Sequence, residues 1–302
     1  MAAQSGPLTV PSERRPALLV QPNPKGTTTQ RRAKIWNLKL GLSLAGLAVL
    51  TATGVSAAPA SADATNHVTP KPTIVLEHGA WADGSSWGGV VSRLQHDGYT
   101  VDVPPNPLRG PADDSPYLAS YLATIAGPIV LVGHSYGGFV ITDAATGNTN
   151  VKALVYVDAY IPAQGDTLNG LTAQFPGSEV TPAALNFVPS AGGVVDAYIK
   201  PALFHAILAN DLSTQRAAEL AAIQRPIAAS ALGEPSGPPA WTNIPSWDVI
   251  GTADHAIPVA AQEFMAKRAL AATTEIDASH LSLISHPRAV ASVIESAAHQ
   301  VG

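Results

Sequence analysis

Apolar residues alternate between two patterns after about residue 70. Short runs rich in apolar and β-branched residues are separated by longer segments in which apolar residues recur at helical spacing. The predicted strands cover residues 73–76, 99–103, 129–132, 151–157, 246–250 and 273–276. Helices are predicted over residues 90–96, from Phe139 onward, and over residues 259–270. Two more are predicted from apolar residues that share one helical face. The first has Tyr117, Leu118, Tyr121, Leu122 and Ile125 on that face, and the second, the last helix of the chain, has Val290, Val293, Ile294 and Ala297. Strands that alternate with helices predict an α/β fold with a mostly parallel central sheet and helices on both faces.

This alternation stops in the second half of the chain. Between residue 161 and about residue 245 no regular strand pattern is present, and Pro, Gly and Ala dominate. A structureless loop of that length is implausible within a compact domain. We therefore predict a helical cap, inserted at about 161–245 and lying over the sheet.

The first 62 residues have the character of a secretory leader rather than of a folded domain. Basic residues within 31–39 precede an uncharged run over 40–58, and an Ala-Ser-Ala stretch ending at Ala62 supplies a small-residue cleavage site. We expect residues 1–62 to be a bacterial-type signal peptide that is removed on secretion, leaving one domain at 63–302. A membrane anchor is the alternative, because the uncharged run is almost long enough to span a bilayer.

Charge and composition limit the kinds of partner. The chain has 17 basic and 22 acidic residues, and cleavage after Ala62 would leave 10 and 21, with a net charge of −11. Such a surface repels nucleic acid and anionic lipid, so we expect neither nucleic-acid binding nor stable membrane association after signal removal. Because the chain has no cysteine, no glycine-rich phosphate loop and no H-E-x-x-H motif, we expect no disulfide, no cofactor and no metal.

The candidate nucleophile is Ser135, in the sequence Gly133-His-Ser-Tyr-Gly137. This G-x-S-x-G pattern follows an apolar strand and precedes a helix. A serine hydroxyl becomes a useful nucleophile when a sharp strand-to-helix turn holds it clear of the backbone, and glycines tolerate the crowding beside it. A second match is centred on Ser86, but it follows a turn-like stretch, where capping a helix is the ordinary role of serine. The context therefore favours Ser135.

A general base and an acid are expected at other strand ends. In an open α/β sheet the carboxyl ends of the strands share one edge. His280 follows the last predicted strand and is the favoured base, with His286 as the alternative. Asp254 follows the strand at 246–250 and is the favoured acid, with Asp158, which also ends a strand, as its rival.

The negative charge that develops on an attacked carbonyl oxygen needs two backbone N–H donors. One is expected from Tyr136, directly after the serine. The other is expected from the loop after the first strand, at Ala80, with Trp81 as the alternative. We interpret His78, in the same loop, as structural rather than as a proton donor or acceptor.

Taken together, these motifs resemble the α/β-hydrolase superfamily, over residues 73–298. Within it, residues 78–81, Ser86-Trp87 and residues 279–287 resemble the branch that holds plant methylesterases, hydroxynitrile lyases and related bacterial esterases. The resemblance implies the α/β-hydrolase fold and a serine hydrolase with a Ser-His-Asp triad, and the predicted leader implies that this hydrolase is secreted. Its expected substrates are small or medium carboxylic esters or lactones, cleaved through an acyl-enzyme.

Other functions remain open on the same scaffold. Hydroxynitrile lyases of this branch carry a lysine directly after the catalytic histidine, and this chain has Leu281 there, which favours ester hydrolysis. A triad-dependent carbon–carbon lyase or peracid-forming enzyme, or a small-molecule binding protein, are the alternatives. The cap predicts a roofed pocket for a compact apolar substrate, with Trp81, Trp87 and Phe204 as its walls.

Overall fold

The computed structural model describes residues 71–301, and the predicted signal peptide at 1–62 lies outside the described residues. The strands are β1 (Thr73–Glu77), β2 (Val101–Asp102), β3 (Ile129–His134), β4 (Val151–Val157), β5 (Leu185–Pro189), β6 (Val195–Ile199), β7 (Ile227–Ala228), β8 (Ser246–Gly251) and β9 (Ala272–Ile276). The α-helices are α1 (Gly88–His96), α2 (Pro111–Leu122), α3 (Tyr136–Ala144), α4 (Leu168–Ala173), α5 (Pro201–Leu208), α6 (Thr214–Ile223), α7 (Val259–Arg268), α8 (Ser282–Ser285) and α9 (Pro287–Val301). None of the helices in this part of the chain has the length and apolar character that crossing a membrane requires.

Six strands form one parallel sheet, which confirms the predicted fold class. Their order is β2-β1-β3-β4-β8-β9. All six residues of β3 are buried, because a parallel strand with neighbours on both sides and helices on both faces has no side that meets water. The outermost strand β9 is largely exposed. Its sequence is correspondingly polar, whereas β3 begins as an uninterrupted apolar run.

Two pairs of helices cover the sheet. The amphipathic helix α9 packs on β3, β4 and β8 and against α1, while α3 packs on β1, β3 and β4 and against α2. The buried face of α9 includes Val290, Val293, Ile294 and Ala297, the residues whose helical spacing predicted it. The sheet and its two helical layers enclose one continuous hydrophobic core.

The chain between β4 and β8 forms the cap, which contains the helices α4, α5 and α6. It also contains an antiparallel sheet in the order β5-β6-β7, which the sequence analysis did not predict. Four of the five residues of β5 are exposed, so this strand has no apolar and polar alternation to reveal it. The cap is joined to the rest of the domain by an ion pair of 2.8 Å between Arg109 and Asp196. The indole Nε1 of Trp81 also donates to the carbonyl oxygen of Ala197 at 2.9 Å.

Candidate active site

Ser135 lies in a strained turn between β3 and α3. Its backbone has φ 53° and ψ −123°, a left-handed φ that is uncommon for a residue with a side chain and clusters at functional sites. The flanking glycines make the turn possible, because a Cβ at Gly133 would lie 2.6 Å from the Gly137 carbonyl oxygen. A Cβ at Gly137 would lie 2.6 Å from the Glu77 carbonyl oxygen. The turn therefore requires small residues on both sides of the serine.

The structure brings the three predicted side chains into one hydrogen-bonded chain. The Ser135 Oγ lies 2.9 Å from His280 Nε2, and His280 Nδ1 lies 2.8 Å from Asp254 Oδ2. The Asp254 and His280 side chains are both almost completely buried. A carboxylate at Nδ1 fixes the imidazole tautomer that carries its proton there, which leaves Nε2 free to accept the serine proton.

Asp254 is held by donors that come from its own loop and from α7. Its Oδ1 accepts the backbone N–H groups of Ala256 at 2.7 Å and Ile257 at 3.0 Å. Its Oδ2 accepts Nε2 of the fully buried Gln262 at 2.9 Å, in addition to the His280 proton. Hydrogen bonds to the charged form stabilise a buried carboxylate. Gln262 was not singled out by the sequence analysis, since one glutamine inside an ordinary helix gives no signal of its partner.

The rival acid, Asp158, lies below the triad and does not contact His280. Its Oδ1 accepts the N–H of Gly251 at 2.8 Å, and its Oδ2 accepts the N–H of Ser282 at 3.2 Å and also the Ser282 hydroxyl. Burial and the nearby charge of Asp254 raise the pKa of Asp158 well above its usual value. Asp158 therefore joins the ends of two loops, one carrying Asp254 and the other His280.

The other alternative residues have different partners. The Ser86 hydroxyl donates to the Asp83 carbonyl oxygen at 2.6 Å within a one-turn 3₁₀-helix. His286 Nδ1 pairs with the Ser285 hydroxyl at 2.9 Å, on the surface. His134, inside the elbow, places Nε2 2.9 Å from the carbonyl oxygen of His280. It supports the backbone of the candidate base and does not contact the serine hydroxyl.

The loop after β1 presents a backbone N–H toward the same site. The Trp81 N–H is already used, because it donates to the Arg225 carbonyl oxygen at 2.9 Å. The N–H groups of Ala80 and Tyr136 have no hydrogen-bond partner within residues 71–301, and both residues line the cavity beside Ser135. This arrangement leaves Ala80 and Tyr136 as the two available donors.

His78 fixes the conformation of that loop from behind. Its Nδ1 donates to the Gly79 carbonyl oxygen at 2.9 Å, and its Nε2 accepts the N–H of Asn106 at 3.1 Å. The Asn106 side chain in turn donates to the His78 carbonyl oxygen at 3.0 Å. Burial lowers the pKa of His78 to about 4, so the ring stays neutral at ordinary pH. Both of its ring nitrogens are committed to structure.

A cavity of about 240 Å³ opens above Ser135 and His280, between the sheet edge and the cap. Most of its lining is apolar. The larger apolar residues are Trp81, Leu168, Leu185, Phe187, Ile227, Leu232 and Ile257, and the polar ones away from the triad are Asn169, Thr172 and Tyr160. The described lining residues include no Asp, Glu, Lys or Arg.

Two of the three predicted cavity walls lie elsewhere. Trp81 lines the cavity, but Trp87 and Phe204 do not. Trp87 is completely buried and packs edge-on against His134, with ring centroids 6.4 Å apart. It therefore packs against the turn that carries Ser135 and does not face the cavity. Phe204 is buried on α5 and lines a separate, much smaller cavity near Leu281. The prediction was wrong for these two residues because neither proximity in sequence, as for Trp87, nor a place in the cap, as for Phe204, fixes the direction of a side chain.

The described residues hold no grouping of three or more His, Cys, Asp or Glu side chains suited to a metal ion. Three buried carboxyl groups lie close to the site or the adjoining strands instead. Burial raises the pKa of Glu77, of Asp158 and of Asp248 well above their usual values, with neighbouring carboxylates adding to the effect. Among the buried acids of residues 71–301, only Asp254 hydrogen-bonds to a histidine ring.

Comparison with known proteins shows the family to which the chain belongs. Residues 74–293 match a family described as the alpha/beta hydrolase family. The chain is also similar to a carbendazim hydrolyzing esterase from Nocardioides sp. (strain SG-4G), with 33% identity over 110 residues. That match covers 32% of this chain and 46% of the esterase, so it spans less than half the length of this relative.

Solved structures with the same fold extend over most of the chain. An extracellular alpha/beta-hydrolase from a Paenibacillus species has 22% identity and a TM-score of 0.62, over 75% of this chain and 98% of that one. Polyneuridine aldehyde esterase has 18% identity and a TM-score of 0.64, over 75% of this chain and 99% of that one. At these identities the likeness establishes a shared fold.

Proposed function

The chain belongs to the α/β-hydrolase family, and we propose that within it the protein is a serine esterase that cleaves small or medium carboxylic esters or lactones through an acyl-enzyme. The observation that carries this proposal is the continuous hydrogen-bonded chain from Ser135 through His280 to Asp254. Three side chains from distant parts of the sequence meet in the order that acyl transfer requires.

Each side chain then has a defined role. The Ser135 oxygen attacks the ester carbonyl carbon while its proton passes to Nε2 of His280, 2.9 Å away. Asp254 holds the imidazole in place and stabilises the cation that forms. His280 next protonates the departing alcohol, leaving the acyl group on Ser135. A water molecule, deprotonated by the same histidine, then attacks the acyl carbon. The bond from that carbon to the Ser135 oxygen breaks, His280 returns the proton to the serine oxygen, and the acid is released.

The backbone N–H groups of Ala80 and Tyr136 bind the oxyanion in this proposal. Donors that are fixed before reaction stabilise developing charge without having to reorganise. Ala80 lies in the loop that His78 and Asn106 hold in place, and Tyr136 begins α3. The positive end of that helix adds to the stabilisation of the oxyanion.

The cavity supports the proposed substrate class. A volume of about 240 Å³ suits a compact acyl or alcohol group, and its apolar lining favours uncharged substrates, because a charge would be buried there without a partner. The similar carbendazim hydrolyzing esterase is named for a small organic substrate. This likeness supports esterase action on a small molecule and does not select one.

One experiment tests the proposal directly. Wild type and Ser135→Ala are assayed with aryl esters of graded acyl length and with lactones. We expect turnover of the shorter esters by the wild type, and a loss of roughly 10⁶-fold in kcat in the variant, as for removal of a nucleophile from a triad. Circular dichroism should show that the variant is folded. Turnover retained by Ser135→Ala would rule out the serine mechanism.

We further propose that residues 1–62 direct export and are removed. The support is the order of basic residues, uncharged run and small-residue site in the sequence. Expression of the full chain in a bacterium, followed by fractionation and N-terminal sequencing, tests this. Export predicts a mature chain that starts at Asp63 outside the cytoplasm, whereas a full-length chain held in the membrane fraction would indicate an anchor.

A further inference from the structure

Two loops carry the acid and the base of the proposed triad. We name residues 252–257 the acid loop, which follows β8 and contains Asp254, and residues 277–281 the base loop, which follows β9 and contains His280. The loops contact each other directly, since the N–H of Ala253 donates to the Ala278 carbonyl oxygen at 3.0 Å. From the core side, Asp158 holds Gly251 and Ser282, which flank the two loops.

A two-residue segment of the cap holds the same loops from the opposite side. This bridging segment, Asn210-Asp211, lies between α5 and α6. The Asn210 side chain donates from Nδ2 to the carbonyl oxygen of Ala253 at 3.0 Å, and Ala253 directly precedes Asp254. The first residue of the segment therefore contacts the acid loop beside its catalytic side chain.

Asp211 contacts the base loop in the corresponding place. Its Oδ2 accepts the N–H of Ser279 at 3.0 Å, and its Oδ1 accepts the Ser279 hydroxyl at 2.5 Å. Ser279 is completely buried and directly precedes His280. Burial opposes ionisation of Asp211, but the hydrogen bonds from Ser279 and Ser285 outweigh it and lower the pKa of this carboxyl. Asp211 is therefore an ionised acceptor, which makes its bonds to Ser279 strong.

The bridging segment is itself fixed on both sides. The N–H of Leu212 donates to the Ala209 carbonyl oxygen at 3.0 Å, which closes a turn around Asn210 and Asp211. His205 on α5 reaches the Leu212 carbonyl oxygen at 3.0 Å. Because these hydrogen bonds already hold the segment within the cap, it can fix the positions of the loops at little further entropic cost.

We propose that Asn210 and Asp211 are positioning residues for the reaction, which set the distance between Asp254 and His280 by joining the two loops to the cap. This inference rests on the proposed function for its kinetic consequences. Neither residue lines the cavity, so their loss should affect the chemical step rather than substrate binding. A displacement of about 1 Å in such a pair can cost up to roughly 100-fold in rate.

The test compares Asp211→Ala, Asp211→Asn and Asn210→Ala with a matched control, Asp196→Asn. The control removes the negative charge from another contact between cap and domain, the ion pair with Arg109, without touching either loop. We expect Asp211→Ala to lower kcat about tenfold or more with KM within about twofold, and Asn210→Ala to lower it less. Asp211→Asn should recover most of the rate, because its side chain can still accept the Ser279 N–H. The control should keep the wild-type kcat.

A spectroscopic readout separates this inference from the proposed function. A proton shared between His280 Nδ1 and Asp254 gives a far-downfield proton NMR signal, which should move or broaden in Asp211→Ala and stay in place in Asp196→Asn. An unchanged kcat in Asp211→Ala, or an equal loss in the control, would overturn the positioning role. If Ser135→Ala retains activity, the proposed function fails and the kinetic test no longer applies. The NMR signal then tests the positioning role by itself. A signal that is unchanged in Asp211→Ala would contradict that role.

Discussion

Gly79 approaches Ser135 so closely that a methyl group at position 79 would lie 2.6 Å from the Cβ of the serine. The same methyl group would lie 2.8 Å from the carbonyl oxygen of His134. The loop after β1 and the elbow after β3 are thus packed backbone against backbone. This contact sets the distance between the N–H of Ala80 and the hydroxyl of Ser135.

Gly79→Ala should therefore reduce both activity and stability. The added methyl group must push the loop away from the elbow, at a cost of about 1–3 kcal/mol in the free energy of unfolding, and the displaced Ala80 N–H should weaken oxyanion binding by at least about tenfold in kcat. Ester hydrolysis and urea unfolding measure the two effects. Gly88→Ala, at the start of α1, is the matched control, because its added Cβ has no neighbour within 4 Å beyond its own helix backbone and the adjoining residues. It should keep the wild-type activity and lose no stability.

Asp254→Asn should cost about 10⁴-fold in kcat while the protein stays folded. An asparagine that keeps its oxygen on the N–H groups of Ala256 and Ile257 turns its NH₂ group toward His280 Nδ1. The imidazole must then carry its proton on Nε2, where it cannot accept the Ser135 proton.

Asp158→Asn is the comparison that separates the two candidate acids. Asp158 touches the ends of both loops but not His280, so this variant should lose thermal stability and keep kcat within about tenfold of the wild type. If the rate falls in Asp158→Asn and persists in Asp254→Asn, the assignment of the acid is reversed.

Strand ends explain how much of the site could be predicted from sequence. Ser135 and Asp254 each follow an apolar run that is readable as a buried strand, and His280 follows a shorter run, Thr273-Thr-Glu-Ile276, that is readable as a strand from its β-branched residues. A parallel sheet brings such strand ends to one edge. The order of strands in the sheet was not needed for this inference. A local pattern plus one rule of topology was enough to prefer Ser135 to Ser86 and to choose His280 from nine histidines and Asp254 from 22 acidic residues.

The contacts that the cap makes with the site could not be predicted from strand ends. Asn210 and Asp211 lie in a segment without periodicity, and their partners are 43 and 68 residues away in sequence. The antiparallel strand β5 was missed because the apolar Phe187 and Val188 are adjacent and both exposed. Where side-chain direction depends on long-range packing, as for Trp87, residue type alone gave the wrong location.

Stability should fall in acid because two buried histidines resist protonation. Burial lowers the pKa of His78 to about 4 and that of His134 well below its usual value. An unfolded histidine takes up its proton near pH 6.5, so between about pH 6.5 and 4 the unfolded chain binds more protons than the folded one. Stability is then lost as the pH falls, by about 3 kcal/mol for His78.

Urea unfolding of His78→Gln across this pH range tests the assignment. The variant has one titrating ring fewer, so its stability should fall less steeply between pH 6.5 and 4 than that of the wild type. The exposed His299 provides the control, His299→Gln, which should keep the wild-type slope. Parallel slopes for His78→Gln and wild type would show that His78 does not contribute.

Buried Asp248 should make the folded protein less stable as the pH rises, the opposite of the effect of the two histidines. It is completely buried on β8, and neither of its carboxylate oxygens has a hydrogen-bond partner within residues 71–301. Burial, with the neighbouring Asp158 adding to it, raises its pKa well above the usual value. The unfolded group loses its proton near pH 4, whereas the folded one retains it, so the unfolded chain binds fewer protons and stability declines as the pH rises above about 4.

Asp248→Asn has no proton to lose and should therefore be more stable than the wild type at pH 8. Urea unfolding at pH 5 and pH 8 measures the difference, and the advantage of the variant should shrink at pH 5. Glu77 and Asp158 are buried with raised pKa values as well, so part of the decline should remain in the variant. The exposed Glu275 on β9 supplies the control, Glu275→Gln, which should leave the free energy of unfolding unchanged at pH 5 and at pH 8. A variant no more stable than the wild type at pH 8 would mean that Asp248 is ionised in the fold at little cost.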